Sequence, residues 1–183
     1  MNYNTVREWG RTVKPNGEPF ELRIFGAMKL NGYFTGVESA ITALQHLDAS
    51  VLDNASVYFT LNQLKHQVLA DANNVNTFGA MRPGAATKDK DISRYNWLFI
   101  DVDPERETGV CATDEEKGHA RTVITKCSAF LKERGFAEPI VCDSGNGYHL
   151  LYKVDVEVEE GERIIEGVIK LLDRFFSSRE AKV

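Results

Sequence analysis

Two aspartates directly after an apolar run are the residues of this sequence best suited to metal chemistry. The run Trp97-Leu98-Phe99-Ile100 leads into Asp101-Val102-Asp103, and Pro104 closes the segment. Such a run, rich in aromatic and β-branched residues and stopped by proline, predicts a buried central strand. Side chains at positions i and i+2 of a strand share a face and lie about 6.5–7 Å apart. Both carboxylates could therefore reach one or two hard cations, unless they are simply the first solvated residues after the strand.

A predicted β-hairpin about 40 residues further along the chain contains a second group of candidates. Its strands span 139–142 and 148–154, and the turn Asp143-Ser144-Gly145-Asn146-Gly147 joins them. A lone histidine in a strand, such as His149, is more often structural than functional. Here two preceding glycines let the backbone approach a ligand closely, and their N–H groups suit a phosphate. We therefore predict that His149 contacts a ligand, with a purely structural role as the alternative.

The composition limits the class of protein and its partners. A chain of 183 residues forms one large domain or two small modules that share a core. No apolar run is long enough to span a bilayer, and the polar N-terminus lacks a signal-peptide core. The three cysteines are widely spaced without a C-x-x-C pair, which argues against a zinc site and predicts a cytoplasmic protein. A net charge of −5 gives no long-range attraction for nucleic acid, so DNA contacts require a local basic patch or bound metal.

Hydrophobic patterns predict a small αβ layer over about residues 20–75, after an irregular lead-in of twenty residues. Asn31-Gly32 predicts a hairpin-type turn, and Tyr33-Phe34 then begins a second short strand. Alternation and helical spacing predict the other elements of this layer, namely strands at 20–25 and 56–61 and helices at 37–47 and about 62–72.

A long basic loop is predicted over residues 79–94, because nothing in this stretch resembles a core segment. Loops of this length without secondary structure are more often functional than idle. Asp89 and Asp91 are mixed with its cations, so a solvated loop with local ion pairs is the alternative to a phosphate-binding or template-binding loop. The candidate phosphate or template contacts are Arg82, Lys88, Lys90 and Arg94.

Two amphipathic helices are predicted in the second half of the chain. The first, about residues 114–134, starts with a capping box in which Thr113 is the N-cap and Glu116 occupies N3, and it stops at Gly135. The second runs from Glu159 to about Ser178. We expect the first helix to cover the sheet and to take no part in chemistry.

The two motifs in this order resemble the primase-polymerase domains of the archaeo-eukaryotic primase superfamily. The resemblance covers roughly residues 20–183. Within the superfamily, the sequence is most similar to the branch found in phage and plasmid primase-helicases and CRISPR-associated primase-polymerases. It depends on three stretches, which are Trp97–Pro104, Ala112-Thr113-Asp114-Glu115-Glu116 and Asp143–Tyr152. It implies an α+β primase-polymerase fold. In that fold an N-terminal αβ module (about 20–95) packs on an RRM-like mixed or antiparallel sheet (about 96–183) with helices on the outer faces, within one domain spanning 1–183.

The resemblance also implies a function, which is template-directed nucleotidyl transfer as a DNA primase or polymerase. It assigns Asp101 and Asp103 as ligands of Mg²⁺ or Mn²⁺ and His149 as the contact to the phosphates of the incoming nucleotide. Ser144, Gly145, Asn146 and Gly147 would shape the nucleotide pocket. The partners it implies are nucleoside triphosphates and single-stranded DNA or a primer–template, with a helicase domain or CRISPR proteins in a longer protein.

One departure from the family pattern concerns the third motif. In the family, another metal-binding aspartate lies on a strand after the second amphipathic helix. Here only Arg179-Glu180-Ala181-Lys182-Val183 follow that helix, whereas Asp155 ends the His149 strand and Asp173 lies inside the helix. We therefore expect a fragment that ends before the third carboxylate, with reduced or no polymerase activity.

Two other functions stay open at this point. A non-catalytic replication module that binds nucleotide or single-stranded nucleic acid would need no third carboxylate. A phosphohydrolase of the haloacid dehalogenase type also places D-x-D after an apolar strand. In those enzymes the motif usually continues into Thr or Val, whereas Pro104 follows here. Their D-x-D strand also usually lies near the start of the domain.

Overall fold

The computed structural model describes residues 2–84, 86–107 and 109–183. Its backbone divides into two compact units, an N-terminal unit of residues 1–94 and a C-terminal unit of residues 95–183. Both units combine helices with antiparallel strands, which confirms the predicted α+β class. No helix in these described ranges is long and apolar enough to cross a membrane.

The N-terminal unit is built on a four-stranded antiparallel sheet in the order β3-β1-β2-β5. A separate two-residue strand, β4, pairs with the first residues of β6. In chain order the elements are α1 (Tyr3–Val13), β1 (Phe20–Phe25), β2 (Lys29–Phe34), α2 (Val37–Gln45), α3 (Ala49–Leu52), β3 (Ser56–Phe59), β4 (Gln63–Leu64), α4 (His66–Asp71), β5 (Gly79–Ala80), a short 3₁₀ turn (Asp89–Asp91) and the start of β6 (Ile92–Pro104).

The predicted irregular lead-in is wrong, because its first part is the helix α1. Asn2 caps this helix by accepting hydrogen bonds from the backbone N–H groups of Asn4 and Thr5. Tyr3 and Val6 pack against the apolar core of the N-terminal unit. A helix this short is marginal in isolation, so tertiary packing rather than local propensity stabilises it.

The predicted turn at Asn31-Gly32 is also wrong, because both residues lie inside β2. The chain instead turns at residues 26–28, where the Gly26 N–H donates to the Met28 carbonyl at 3.2 Å. Gly32 pairs with Leu22 of β1, and a Cβ added to it would lie 2.2 Å from the Thr77 carbonyl oxygen. The glycine therefore permits a close approach of backbone to the strand rather than a turn.

The sheet of the N-terminal unit has one apolar and one polar face. On the apolar face, residues of β1 and β2 pack with Val37, Ala40, Ile41 and Leu44 of α2. The opposite face presents Glu21 and Arg23 of β1 across from Tyr33 and Asn31 of β2. This polar face is also covered, because Glu21 is 0% and Asn31 3% exposed.

The C-terminal unit holds the predicted D-x-D strand, hairpin and two long helices. Strand β8 lies between β6 and β7, and β9 pairs antiparallel with the end of β6. The capping box is confirmed, since the Thr113 side chain and the Glu116 carboxylate each accept the other residue's backbone N–H. After β6 the elements are α5 (Asp114–Lys132), β7 (Ile140–Asp143), β8 (Tyr148–Glu157), α6 (Val158–Phe176) and β9 (Ala181–Lys182).

From Leu98 onwards the strand β6 is buried on one face only, which corrects the prediction of a buried central strand. Leu98, Ile100 and Val102 are at most 2% exposed and pack against α5, β8 and α6. On the other face Phe99 is 41% exposed and precedes the two aspartates at alternate positions. The alternative that Asp101 and Asp103 follow the strand is wrong, because β6 continues through both to Pro104.

Candidate active site

The site begins with a contact between the first aspartate and the hairpin histidine. The Asp101 Oδ1 atom lies 3.1 Å from His149 Nε2, with 49% and 27% of the two side chains exposed. The contact joins two adjacent strands, β6 and β8. The structure thus brings together the D-x-D motif and the histidine that the sequence predicts as one site.

Phe99 supports the histidine and was not among the predicted site residues. Its ring contacts the imidazole of His149 edge to face, with 4.8 Å between the ring centroids. Phe99 lies two residues before Asp101, so it shares the same face of β6. The sequence does contain a signal for Phe99, because it alternates with the two aspartates. That alternation places its aromatic ring beside any partner of Asp101.

Gly147 places the hairpin turn directly against the second aspartate. A Cβ added to this residue would lie 2.2 Å from the Val102 carbonyl oxygen and 2.6 Å from Asp103 Oδ1. No side chain fits in that space, since real Cβ atoms do not approach backbone oxygen so closely. The Asp103 carboxylate therefore faces the turn, and Asp103 and Gly147 extend the site that Asp101 and His149 begin.

We expect Gly147→Ala to destabilise the C-terminal unit by about 1–3 kcal/mol, because the new methyl group would push β8 away from β6. Urea unfolding followed by Trp97 fluorescence in a Trp9→Phe background would measure this unit alone. Gly118→Ala is the matched control, because a Cβ there meets nothing within 4 Å and alanine is favoured in a helix. Equal unfolding midpoints for Gly147→Ala and its parent would contradict the close approach.

The turn of the hairpin is held by its own hydrogen bonds. The Gly145 N–H donates to Asp143 Oδ1 and the Gly147 N–H donates to Ser144 Oγ, both at 2.8 Å. Gly145 has a φ of +91°, which favours glycine at this position. The two N–H groups proposed for a phosphate are thus already used within the turn, so a phosphate bound there would have to replace these bonds.

Two contacts anchor the same turn to the start of α5. Asn146 Oδ1 accepts a hydrogen bond from the Ala112 N–H at 3.0 Å. Lys117 Nζ lies 2.9 Å from both carboxylate oxygens of Asp143, and it holds the pKa of that carboxyl below its usual value. The helix that was expected to take no part in the site therefore supplies a cation beside it. The nucleotide-binding role of Ser144, Gly145, Asn146 and Gly147 stays a prediction.

The electrostatics of the site are those of an incompletely compensated pair of acids. Burial raises the pKa of Asp101; the neighbouring His149 lowers it, and the charge of Asp103 raises it again. Carboxylates held on one face of a strand favour a bound cation, whose charge would offset theirs.

The carboxylates of Asp101 and Asp103 fit Mg²⁺ or Mn²⁺ better than they fit a metal that needs all its ligands from protein side chains. Within residues 2–84, 86–107 and 109–183, no group of three or more His, Cys, Asp or Glu side chains is arranged to hold a metal ion. Mg²⁺ typically binds through one or two carboxylates and takes its other ligands from water and substrate phosphates. Asp101 and Asp103 offer that kind of open site.

A short strand that the sequence pattern does not predict follows α6. Ala181 and Lys182 form β9, and Lys182 pairs in register with Asp103. Lys182 Nζ also lies 3.1 Å from Glu105 Oε1. The residue that pairs with Asp103 across β6 and β9 is therefore a lysine.

The predicted basic contacts lie in the N-terminal unit. Arg82, Lys88 and Lys90 line a cavity of that unit, whereas Arg94 pairs in register with Gln63 of β4. Their role as phosphate or template contacts stays a prediction. No protein-family model, no curated protein and no solved structure gives a significant match to this chain.

Proposed function

We propose that the C-terminal unit carries a nucleotidyl-transfer site of the primase-polymerase type. The observation that carries the proposal is the 3.1 Å contact between Asp101 and His149, with Asp103 on the same face of β6. In the proposal Asp101 and Asp103 are the two metal ligands, and the ring nitrogen of His149 that does not face Asp101 is the hydrogen-bond donor for phosphate. This arrangement needs no side-chain nucleophile, because the attacking group in such a reaction is the 3′-hydroxyl of the primer.

In this proposal each residue has a separate task. Asp101 and Asp103 would hold divalent metal, which would supply activation of the primer hydroxyl and stabilisation of charge on the departing pyrophosphate. His149 donates to a phosphate of the incoming nucleotide, and Phe99 fixes the plane of its ring. Gly147 keeps the turn close enough for Asp103 and the nucleotide to share one site.

The proposal extends to the fold and the partners of the protein. It assigns the primase-polymerase fold, nucleoside triphosphates as substrates and single-stranded DNA or a primer–template as the strand that is copied. It places this activity in the cytoplasm. A helicase domain or CRISPR proteins would be the partners in a longer protein.

A primer-extension assay with Mn²⁺ and Mg²⁺ tests the proposal directly. We expect the labelled primer to grow by the nucleotide that the template specifies, with release of pyrophosphate, at the reduced rate expected of this chain. Binding of single-stranded DNA that survives Asp101→Ala, without any incorporation, would instead identify a non-catalytic module. Metal-dependent hydrolysis of p-nitrophenyl phosphate without template dependence would identify a phosphohydrolase.

His149→Ala is expected to raise the apparent KM for the incoming nucleotide about tenfold, which corresponds to the loss of one charge-assisted hydrogen bond. The kcat should change less, because the carboxylates remain in place. Steady-state primer extension over a range of nucleotide concentrations separates the two constants. His66→Ala, which removes an exposed histidine from α4, is the control. An unchanged KM in His149→Ala would contradict the assigned role.

A further inference from the structure

The polar face of the sheet in the N-terminal unit opens into a cavity that the proposed function does not use. The cavity has a volume of about 680 Å³. Asn31 and Tyr33 of β2 line it, together with residues of α4, of the segment after α4 and of the basic loop. A volume of this size is typical of sites for small organic ligands.

The charge around the cavity is opposite to that of the whole chain. Four cations line it, against the carboxylates of Asp71 and Asp91 alone, while the protein has a net charge of −5. Both acids accept hydrogen bonds, Asp71 Oδ1 from Gln67 at 2.7 Å and Asp91 Oδ2 from the Lys88 N–H at 2.8 Å. A local excess of positive charge in an acidic protein favours an anionic ligand at this place. The four cations are Lys65, Arg82, Lys88 and Lys90.

The wall formed by the sheet is neutral and includes an aromatic ring, and the Asn31 amide in it already donates to the buried Glu21. Asn31 and Tyr33 are 3% and 7% exposed, so both are fixed by their surroundings. The amides of Asn73 and Asn74 lie along the same cavity. Amide side chains suit the edge of a base and an aromatic ring suits its face. The cations suit the phosphates of the same nucleotide.

A buried ionic clamp holds the basic loop on this face of the sheet. Glu21, which is fully buried, accepts hydrogen bonds from Arg23 Nε at 2.9 Å and from the Thr87 N–H at 3.0 Å. Arg23 Nη2 in turn donates to the Thr87 carbonyl at 2.8 Å. Both backbone groups of the residue before Lys88 are therefore fixed. The backbone beside Lys88 is set before any ligand binds, which lowers the entropy lost in ordering this part of the chain.

We propose that this cavity binds a nucleoside phosphate, either a free nucleotide or one residue of a single-stranded nucleic acid. The proposal does not depend on the proposed function, because every residue it uses belongs to the N-terminal unit. Binding should need no divalent metal, since the cavity supplies its own cations. It should also weaken as the salt concentration rises, because the contacts are to phosphate.

Binding by the full-length chain in EDTA tests this proposal, with ATP, inorganic triphosphate and a fluorescein-labelled twelve-residue oligothymidylate as probes. We expect Lys88→Ala/Lys90→Ala to raise the Kd of the bound probe at least about tenfold, as two phosphate contacts are lost. Arg121→Ala/Lys126→Ala removes the same charge from the exposed face of α5 and should leave the Kd within about twofold.

The probes distinguish the two sources of the ligand. Tighter binding of ATP than of the oligonucleotide would identify a nucleotide site, and the reverse order would identify a strand-binding site. Triphosphate that binds as tightly as ATP would overturn the nucleoside part of the proposal. Equal affinities of wild type and Lys88→Ala/Lys90→Ala for every probe would overturn it altogether. Because binding is measured in EDTA, without divalent metal at Asp101 and Asp103, failure of the catalytic proposal would leave this result unchanged.

Discussion

Asp101→Asn/Asp103→Asn is expected to lower metal-dependent nucleotide incorporation at least about 10³-fold, because both protein ligands of the proposed metals are lost. The amide has the shape of the carboxylate but lacks its charge. The melting temperature should not fall, since burial already disfavours the ionised form of Asp101 and raises its pKa. Primer extension and thermal unfolding of the same preparation measure both quantities.

A control with the same change of charge makes that result specific. Glu159→Gln/Glu162→Gln replaces two exposed acids at the start of α6, far along the chain from the D-x-D motif. Its incorporation rate should match that of wild type. If the aspartate variant kept more than a tenth of the activity, Asp101 and Asp103 would not be the metal ligands.

The second large effect is expected on stability. Glu21→Ala should destabilise the N-terminal unit by about 3 kcal/mol, because it leaves Arg23 without its partner in a buried pair. The Asn31 amide and the Thr87 N–H would also lose their acceptor. This loss in the free energy of unfolding is at the low end of what breaking a buried ion pair costs, since 26% of the Arg23 side chain is exposed. Urea unfolding followed by Trp9 fluorescence in a Trp97→Phe background reports on this unit.

Glu38→Ala is the matched control for the buried glutamate. Glu38 contacts both Arg7 and Arg11, but 57% of its side chain is exposed. Solvent and salt screen such surface pairs, so its unfolding midpoint should stay close to that of wild type. Comparable losses for the two variants would show that burial does not control the contribution of Glu21.

The elements that the sequence predicted well are those defined by neighbouring residues. The capping box of α5 requires only Thr113 and Glu116, three positions apart. The hairpin between β7 and β8 is set by the glycine-rich turn, and the face shared by Asp101 and Asp103 follows from the period of a strand. Local rules are sufficient for such features, and the structure contains all of them.

The elements that were missed depend on partners distant in the chain. Gly32 is needed because of the Thr77 carbonyl, and α1 is stabilised by packing on the core. Lys117 reaches Asp143 across 26 positions, so no local pattern marks it as part of the site. Sequence spacing alone gives no signal for a contact of this kind, because the fold brings the two residues together.

The most direct test of the proposed metal site is an NMR titration of the ¹⁵N-labelled chain with Mn²⁺ in the presence of nucleotide. A paramagnetic ion broadens the signals of nearby amides. The amide signals of residues 101–103 and 145–149 should therefore disappear together at substoichiometric Mn²⁺, while those of the acidic first turn of α6 persist. Broadening that begins at α6, or that spares Asp101 and His149, would contradict the assignment of these residues to one metal–nucleotide site.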